Sequence, residues 1–189
     1  MSRLMRWLPV LLVATLVSAC AVQRPAAERA LAAAEAAFGK ISAEAASVAP
    51  AAAAEVEAAL ANARTLFASA DFADVTKMAP DLMERIDALA QSLPQERARL
   101  DAEWKVLLTT VPGAIAVLER KLEDFGQPPA GMPERTKFDN AMARLKDVRA
   151  RWAEAESLAG TSLAKAVDLA DQARLDAVSV LTEFQQQGS

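Results

Sequence analysis

Residues 72–93 read FADVTKMAPDLMERIDALAQSL, and their apolar positions decide the fold. Phe72, Val75, Ala79, Leu82, Ile86, Leu89 and Leu93 recur at alternating steps of three and four. That spacing lines one face of an α-helix. Towards the N-terminus the same spacing links Leu31, Ala34, Phe38, Ile41, Ala45 and Val48, and after Pro50 it links Val56, Leu60, Ala63 and Phe67. Towards the C-terminus it runs through Leu100, Trp104 and Leu107, then Ile115, Leu118, Leu122 and Phe125. Phe138, Met142, Leu145, Val148 and Trp152 predict a long helix beyond. Leu163, Val167, Ala170, Val178, Leu181 and Phe184 predict a last one, with a fraying tail after Gln185. No alternating pattern of the kind strands need is present after the first 20 residues.

The breaks set the helix count. The first helix is expected to open near Pro25 or Ala26, since proline suits an opening turn. Pro50 and Ser69-Ala70-Asp71 mark the next joints. Pro80 predicts a kink or restart, Ser92-Leu93-Pro94-Gln95 a break, and Pro112-Gly113 a further joint. Gly126 to Pro133 is the clearest loop, and Gly160-Thr161 separates the last two helices. The fold class is therefore all-α: a single-domain bundle of six or seven helices over residues 26–185, with no sheet. Residues 60–90 and 145–181 repeat one order, a helix ending near Phe67 or Trp152, a polar joint and a second helix. A duplicated helical hairpin or convergence of amphipathic helices accounts for that echo.

Composition narrows the class. Alanine fills 23 of the 50 positions from 21 to 70, favouring helix but burying little apolar area. The chain has 21 Lys and Arg against 25 Asp and Glu, and two of the basic residues lie in 1–19, so the remainder carries a net charge of −6. An acidic body lacks the basic surface that general nucleic-acid binding needs, and no nucleic-acid partner is expected.

The N-terminus has a different character. Arg3 and Arg6 precede an apolar run from Leu8 to Val17, followed by Ser18, Ala19 and the only cysteine, Cys20. A positive start, a short apolar stretch and a small-residue end describe a secretory signal. The run from Trp7 to Val22 carries Pro9 and meets Arg24 and Pro25. It falls short of the roughly 20 apolar residues of a spanning helix. A structural or free thiol is the rival reading of Cys20, and a single cysteine excludes an intramolecular disulfide.

Leu16-Val17-Ser18-Ala19-Cys20 resembles the lipobox of bacterial lipoproteins, with Val17, Ser18 and Ala19 leading into the lipidated residue. The resemblance implies removal of residues 1–19, then a lipidated Cys20 and short tether over 20–25. It also implies diacylglycerol and an N-acyl chain on Cys20 as the only added groups. Ala21 stands where an aspartate commonly retains such proteins at the inner membrane. Its presence implies lipid anchoring in the outer membrane, facing the periplasm. Residues 26–90 also resemble the alanine-rich helical-hairpin domains of envelope lipoproteins of unknown function, in the order alanine helix, Pro50, helix, Ala70-Asp71-Phe72-Ala73 turn, helix. That second resemblance carries no functional residues.

Catalytic chemistry finds little footing. Histidine and tyrosine are absent, which removes the commonest general base and metal ligand. Ser162-Leu163-Ala164-Lys165 has the Ser-x-x-Lys spacing but sits at an expected helix start, where serine caps and lysine is exposed. Asp71 with Asp74, and Asp168 with Asp171, are close enough to share a cation. They lack the glycine-bearing loop and the six to eight oxygens that calcium takes. No metal site, catalytic residue or other cofactor is expected. Lys137, Arg144 and Arg151 form a candidate patch for an anionic partner. Asn140, Asp147 and Glu154 interleave with them along one stripe and suit a salt-bridged face instead. The expected function is that of a non-enzymatic structural or adaptor protein, contacting envelope proteins or peptidoglycan through helix faces. The alternative is a periplasmic carrier or chaperone holding an apolar ligand between helices, for which a dry cavity near Trp104 and Trp152 would be the sign.

Overall fold

The computed structural model describes residues 8–128 and 132–185, with side chains described for 23–128 and 132–183. Five helices and no strand occur among the described residues: α1 (Leu8–Val48), α2 (Pro50–Ala68), α3 (Phe72–Phe125), α4 (Pro133–Leu158) and α5 (Leu163–Gln185). The all-α class holds, but the expected six or seven helices become five. The reason is α3, which runs for 54 residues through Pro80, Pro94 and Pro112-Gly113.

Proline in a helix interior removes one hydrogen bond, to the carbonyl four residues back, and costs about 3 kcal/mol. The three prolines fall at steps of 14 and 18, near-whole numbers of turns, and all three are exposed. The carbonyls that lose this bond are those of Thr76, Ala90 and Leu108, one turn earlier on the same side. On the opposite side Leu82, Ile86, Leu89, Leu93, Leu100, Leu107 and Val111 are buried. Each large side chain buried contributes about 1.5–3 kcal/mol, which outweighs the three lost bonds. Pro25 likewise lies inside α1 rather than at its start.

The chain divides into two compact units, Met1–Leu93 and Pro94–Ser189. In the first, α1 and α2 pack together through Ala34, Phe38, Ala45 and Val48 against Ala53, Val56, Leu60 and Ala63. Only Ala49 separates the two helices, and Pro50 opens α2 where no amide hydrogen is needed. Ala27, Phe72 and Val75 form a buried cluster with Leu31, Leu66 and Phe67 around it, and the Phe67 and Phe72 rings meet edge to face.

The turn from α2 to α3 is a Schellman motif. Asp71 N–H donates to Leu66 O at 2.9 Å and Ala70 N–H to Phe67 O at 3.1 Å. Ala70 accordingly adopts φ 63, a conformation usually left to glycine. At the end of α3 the equivalent place is filled by Gly126, φ 66.

In the second unit the C-terminal part of α3 supplies Leu100, Leu107, Val111, Ile115, Leu118 and Leu122. From α4 come Ala141, Leu145, Val148 and Ala155. On α5 the buried line is Leu163, Ala166, Val167, Ala170, Ala173, Ala177 and Val180. Two expectations are corrected here. Met142 and Val178, assigned to the core stripes of α4 and α5, are 44% and 45% exposed. Alanines at 0% exposure fill the inner face of α5 instead, so α4 and α5 pack through small side chains. Phe184 lies outside the residues with described side chains. No polar or charged residue is buried among the described residues.

Candidate functional site

Cys20 and the preceding Val17, Ser18 and Ala19 lie outside the residues whose side chains are described. The candidate anionic-partner patch lies within them, and the structure pairs most of its charge. Arg144 Nη1 donates to Glu183 Oε1 of α5 at 2.7 Å, and Arg151 Nη1 bonds Asp176 Oδ2 of the same helix. The Glu183 carboxyl is held below its ordinary 4.5 by the Arg144 hydrogen bond. Lys137 lines a cleft of about 410 Å³ with Asn140, Arg144 and Glu183. The expected partners, three or four residues along α4, are not the ones used. The bonds run across to α5, joining two cations seven residues apart to two anions seven residues apart in antiparallel register. Arg149 adds a third cross-link, to Glu119 of α3 at 2.5 Å. These exposed bridges contribute about 0–1 kcal/mol each. Their effect is to fix the register of the helices and to neutralise the face.

The Ser162–Lys165 pair dissolves in the same way. Ser162 lies in the turn before α5, where its carbonyl accepts from Ala166 N–H at 3.0 Å, and Lys165 bridges to Glu154 at 3.4 Å. Asp168 accepts from Gln172, and Asp171 pairs with Arg174 at 2.7 Å, so each carboxylate has its own partner. Asp71 caps α3 through its carbonyl, accepting from Asp74 and Val75 N–H. No group of three or more His, Cys, Asp or Glu among the described residues could hold a metal.

Trp104 and Trp152 stack on each other, ring centroids 5.6 Å apart and planes at 22°. They bridge α3 and α4. A groove of about 770 Å³ lies elsewhere in the second unit, between α3 and α5. Its floor is Leu100, Leu107 and Val167, and its rims carry Arg99 and Glu103 on one side and Asp168, Asp171 and Arg174 on the other. Arg99 bonds both Glu96 and Glu103, and its hydrogen bond to Glu96 holds that carboxyl below the ordinary value. The groove was not anticipated from the sequence. Its one signal is that residues 106–118 of α3 carry no charge on any face.

Comparison of the chain with protein-family models, with curated proteins and with solved structures returns no match.

Proposed function

We propose that this chain is a lipid-anchored, non-enzymatic structural or adaptor protein of the bacterial cell envelope. In this reading Cys20 holds it to the periplasmic face of the outer membrane, and its helix faces contact envelope proteins or peptidoglycan. The observation that carries the proposal is the run of Arg3 and Arg6, the apolar stretch and Leu16-Val17-Ser18-Ala19-Cys20. One acyl chain binds a membrane only marginally, whereas two or more hold firmly, so a triacylated cysteine is a durable anchor. Support for a contact role comes from the body of the molecule. Exposed salt-bridged helix faces and an open, charge-rimmed groove suit protein contact better than an enclosed apolar ligand. The stacked tryptophans lie against each other; the alternative reading is a periplasmic carrier or chaperone holding an apolar ligand between helices.

Metabolic labelling with an alkyne-bearing palmitate tests the anchor. Wild-type protein should be labelled and should fractionate with outer membrane, while Cys20→Ser should lose both properties. Unchanged labelling of the serine variant would refute the anchor. Photo-crosslinking in cells from exposed positions such as Lys105 and Lys146 should then trap discrete protein or peptidoglycan adducts.

A further inference from the structure

The uncharged segment 106–118 buries Leu107, Val111, Ile115 and Leu118 but leaves Val106 59% and Val117 49% exposed. These two valines belong to a second stripe on α3, distinct from the buried one and spaced three and four apart. Outward from its centre between Val111 and Pro112 come Thr110 and Gly113, then Val106 and Val117, then Glu103 and Arg120, then Arg99 and Asp124. All eight residues are exposed. The stripe is self-complementary when read backwards: threonine meets glycine, valine meets valine, glutamate meets arginine and arginine meets aspartate.

We propose that this stripe is a docking surface for a second copy of the chain, with the two α3 helices antiparallel about a two-fold axis near Val111–Pro112. An isologous contact of this kind needs each residue to find its complement on the same surface of the other subunit. The charges select both direction and register. A parallel pairing sets Arg99 against Arg99 and Asp124 against Asp124. A slip of one heptad either way sets Val106 against Asp124 or Val117 against Arg99. Only the symmetric antiparallel register joins opposite charges at both ends of an apolar centre, the device by which flanking charges choose partner and orientation in coiled coils.

Further observations fit this occupant. Arg120 and Asp124 have no ion-pair partner among the described residues. Arg99 engages Oε2 of Glu103, which leaves Oε1 to accept from Arg120 of the second copy. Asp168 of α5 lines the same groove as Glu103 and adds a second negative charge to it. Gly113 sits mid-helix, where glycine is unfavourable, and a Cβ there would meet nothing within 4 Å. Nothing inside the subunit demands a bare backbone at that point, but a helix crossing closely over it does. The chain already uses the same logic internally, where Arg144 and Arg151 meet Glu183 and Asp176 in antiparallel heptad register.

The test uses the full chain in detergent and reads its mass by sedimentation equilibrium across the micromolar range. Wild type should dimerise. Glu103→Arg and Arg120→Glu should each weaken self-association at least about tenfold, because each places like charges together twice per dimer. An equimolar mixture of the two single variants should recover a heterodimer, since each 103–120 contact is then between opposite charges. The double variant should recover the homodimer. Glu103 and Arg120 stand 17 residues apart on one helix, roughly 25 Å, so no contact within a subunit explains such rescue. A monomeric wild type, or single variants that associate as wild type does, overturns the proposal, as does a mixture that fails to recover.

Discussion

Trp104 of α3 and Trp152 of α4 stand face to face, 5.6 Å between ring centroids, and tie together two consecutive helices. Both rings are only half-buried, so truncating either should cost less than a full core deletion, about 2–3 kcal/mol. The stacking itself should appear as a coupling of about 0.5–1.5 kcal/mol in the Trp104→Ala, Trp152→Ala double-mutant cycle. Urea unfolding followed by circular dichroism measures it. Additive losses would mean the rings pack beside each other without a specific stacking contribution.

Ala70 occupies a left-handed conformation that costs a non-glycine residue about 1–2 kcal/mol. Ala70→Gly should therefore raise stability by about 1 kcal/mol, part of the relief being lost to the greater freedom of glycine in the unfolded chain. The Schellman bonds from Asp71 and Ala70 are backbone bonds and survive the change. Replacing Gly126, the matching position after α3, by alanine should do the reverse by a similar amount. Thermal unfolding of the two variants beside wild type distinguishes the signs.

Pro80, Pro94 and Pro112 make α3 less stable than its length suggests, since each omits one main-chain bond on the water-facing side. Substituting any of them by alanine should stabilise the chain by about 1–3 kcal/mol, the restored bond being partly offset by a freer unfolded state. Amide exchange should show new protection at the substituted position, where the added N–H meets the carbonyl of Thr76, Ala90 or Leu108. A neutral or negative effect at Pro80 would indicate that its ring contributes packing that the exposed geometry does not reveal.

The same prolines mark where local reading stops. The 72–93 stripe is legible because its large side chains keep one spacing, and Leu31 to Val48 and Val56 to Ala63 are legible for the same reason. Helix continuity through Pro94 is not, because it rests on burial of Leu93, Leu100 and Leu107 against other helices, a tertiary gain that no window around the proline contains. On α5 the eye follows Val178 and Leu181, whereas the packed line runs through Ala173, Ala177 and Val180. Alanine signals an inner face only when the facing helix is known. The ion-pair partners on α4 were hidden for the same reason. Asp147 and Glu154 are near in sequence, but Glu183 and Asp176 are the residues that antiparallel packing brings within reach of Arg144 and Arg151.

That cross-helix pairing makes a pH prediction. Glu183 has its carboxyl lowered in the folded chain, chiefly by the Arg144 hydrogen bond and secondarily by its charge and by Ser179. A carboxyl that binds protons less readily when folded contributes stability above its unfolded value near 4.5, and that contribution is lost as pH falls through the lower folded value. Glu183→Gln removes the titrating group. Wild type should therefore be the more stable protein at neutral pH, and its margin over the glutamine variant should shrink as acid protonates Glu183. Arg144→Met, which removes the main donor, should likewise fall below wild type at neutral pH and approach it as acid protonates Glu183. Salt should narrow the neutral-pH margin as well, because the pair is exposed and screened. Melting temperatures of the three proteins from neutral to acidic pH test this. A margin that widens in acid would mean that Glu183 is stabilised by something other than Arg144.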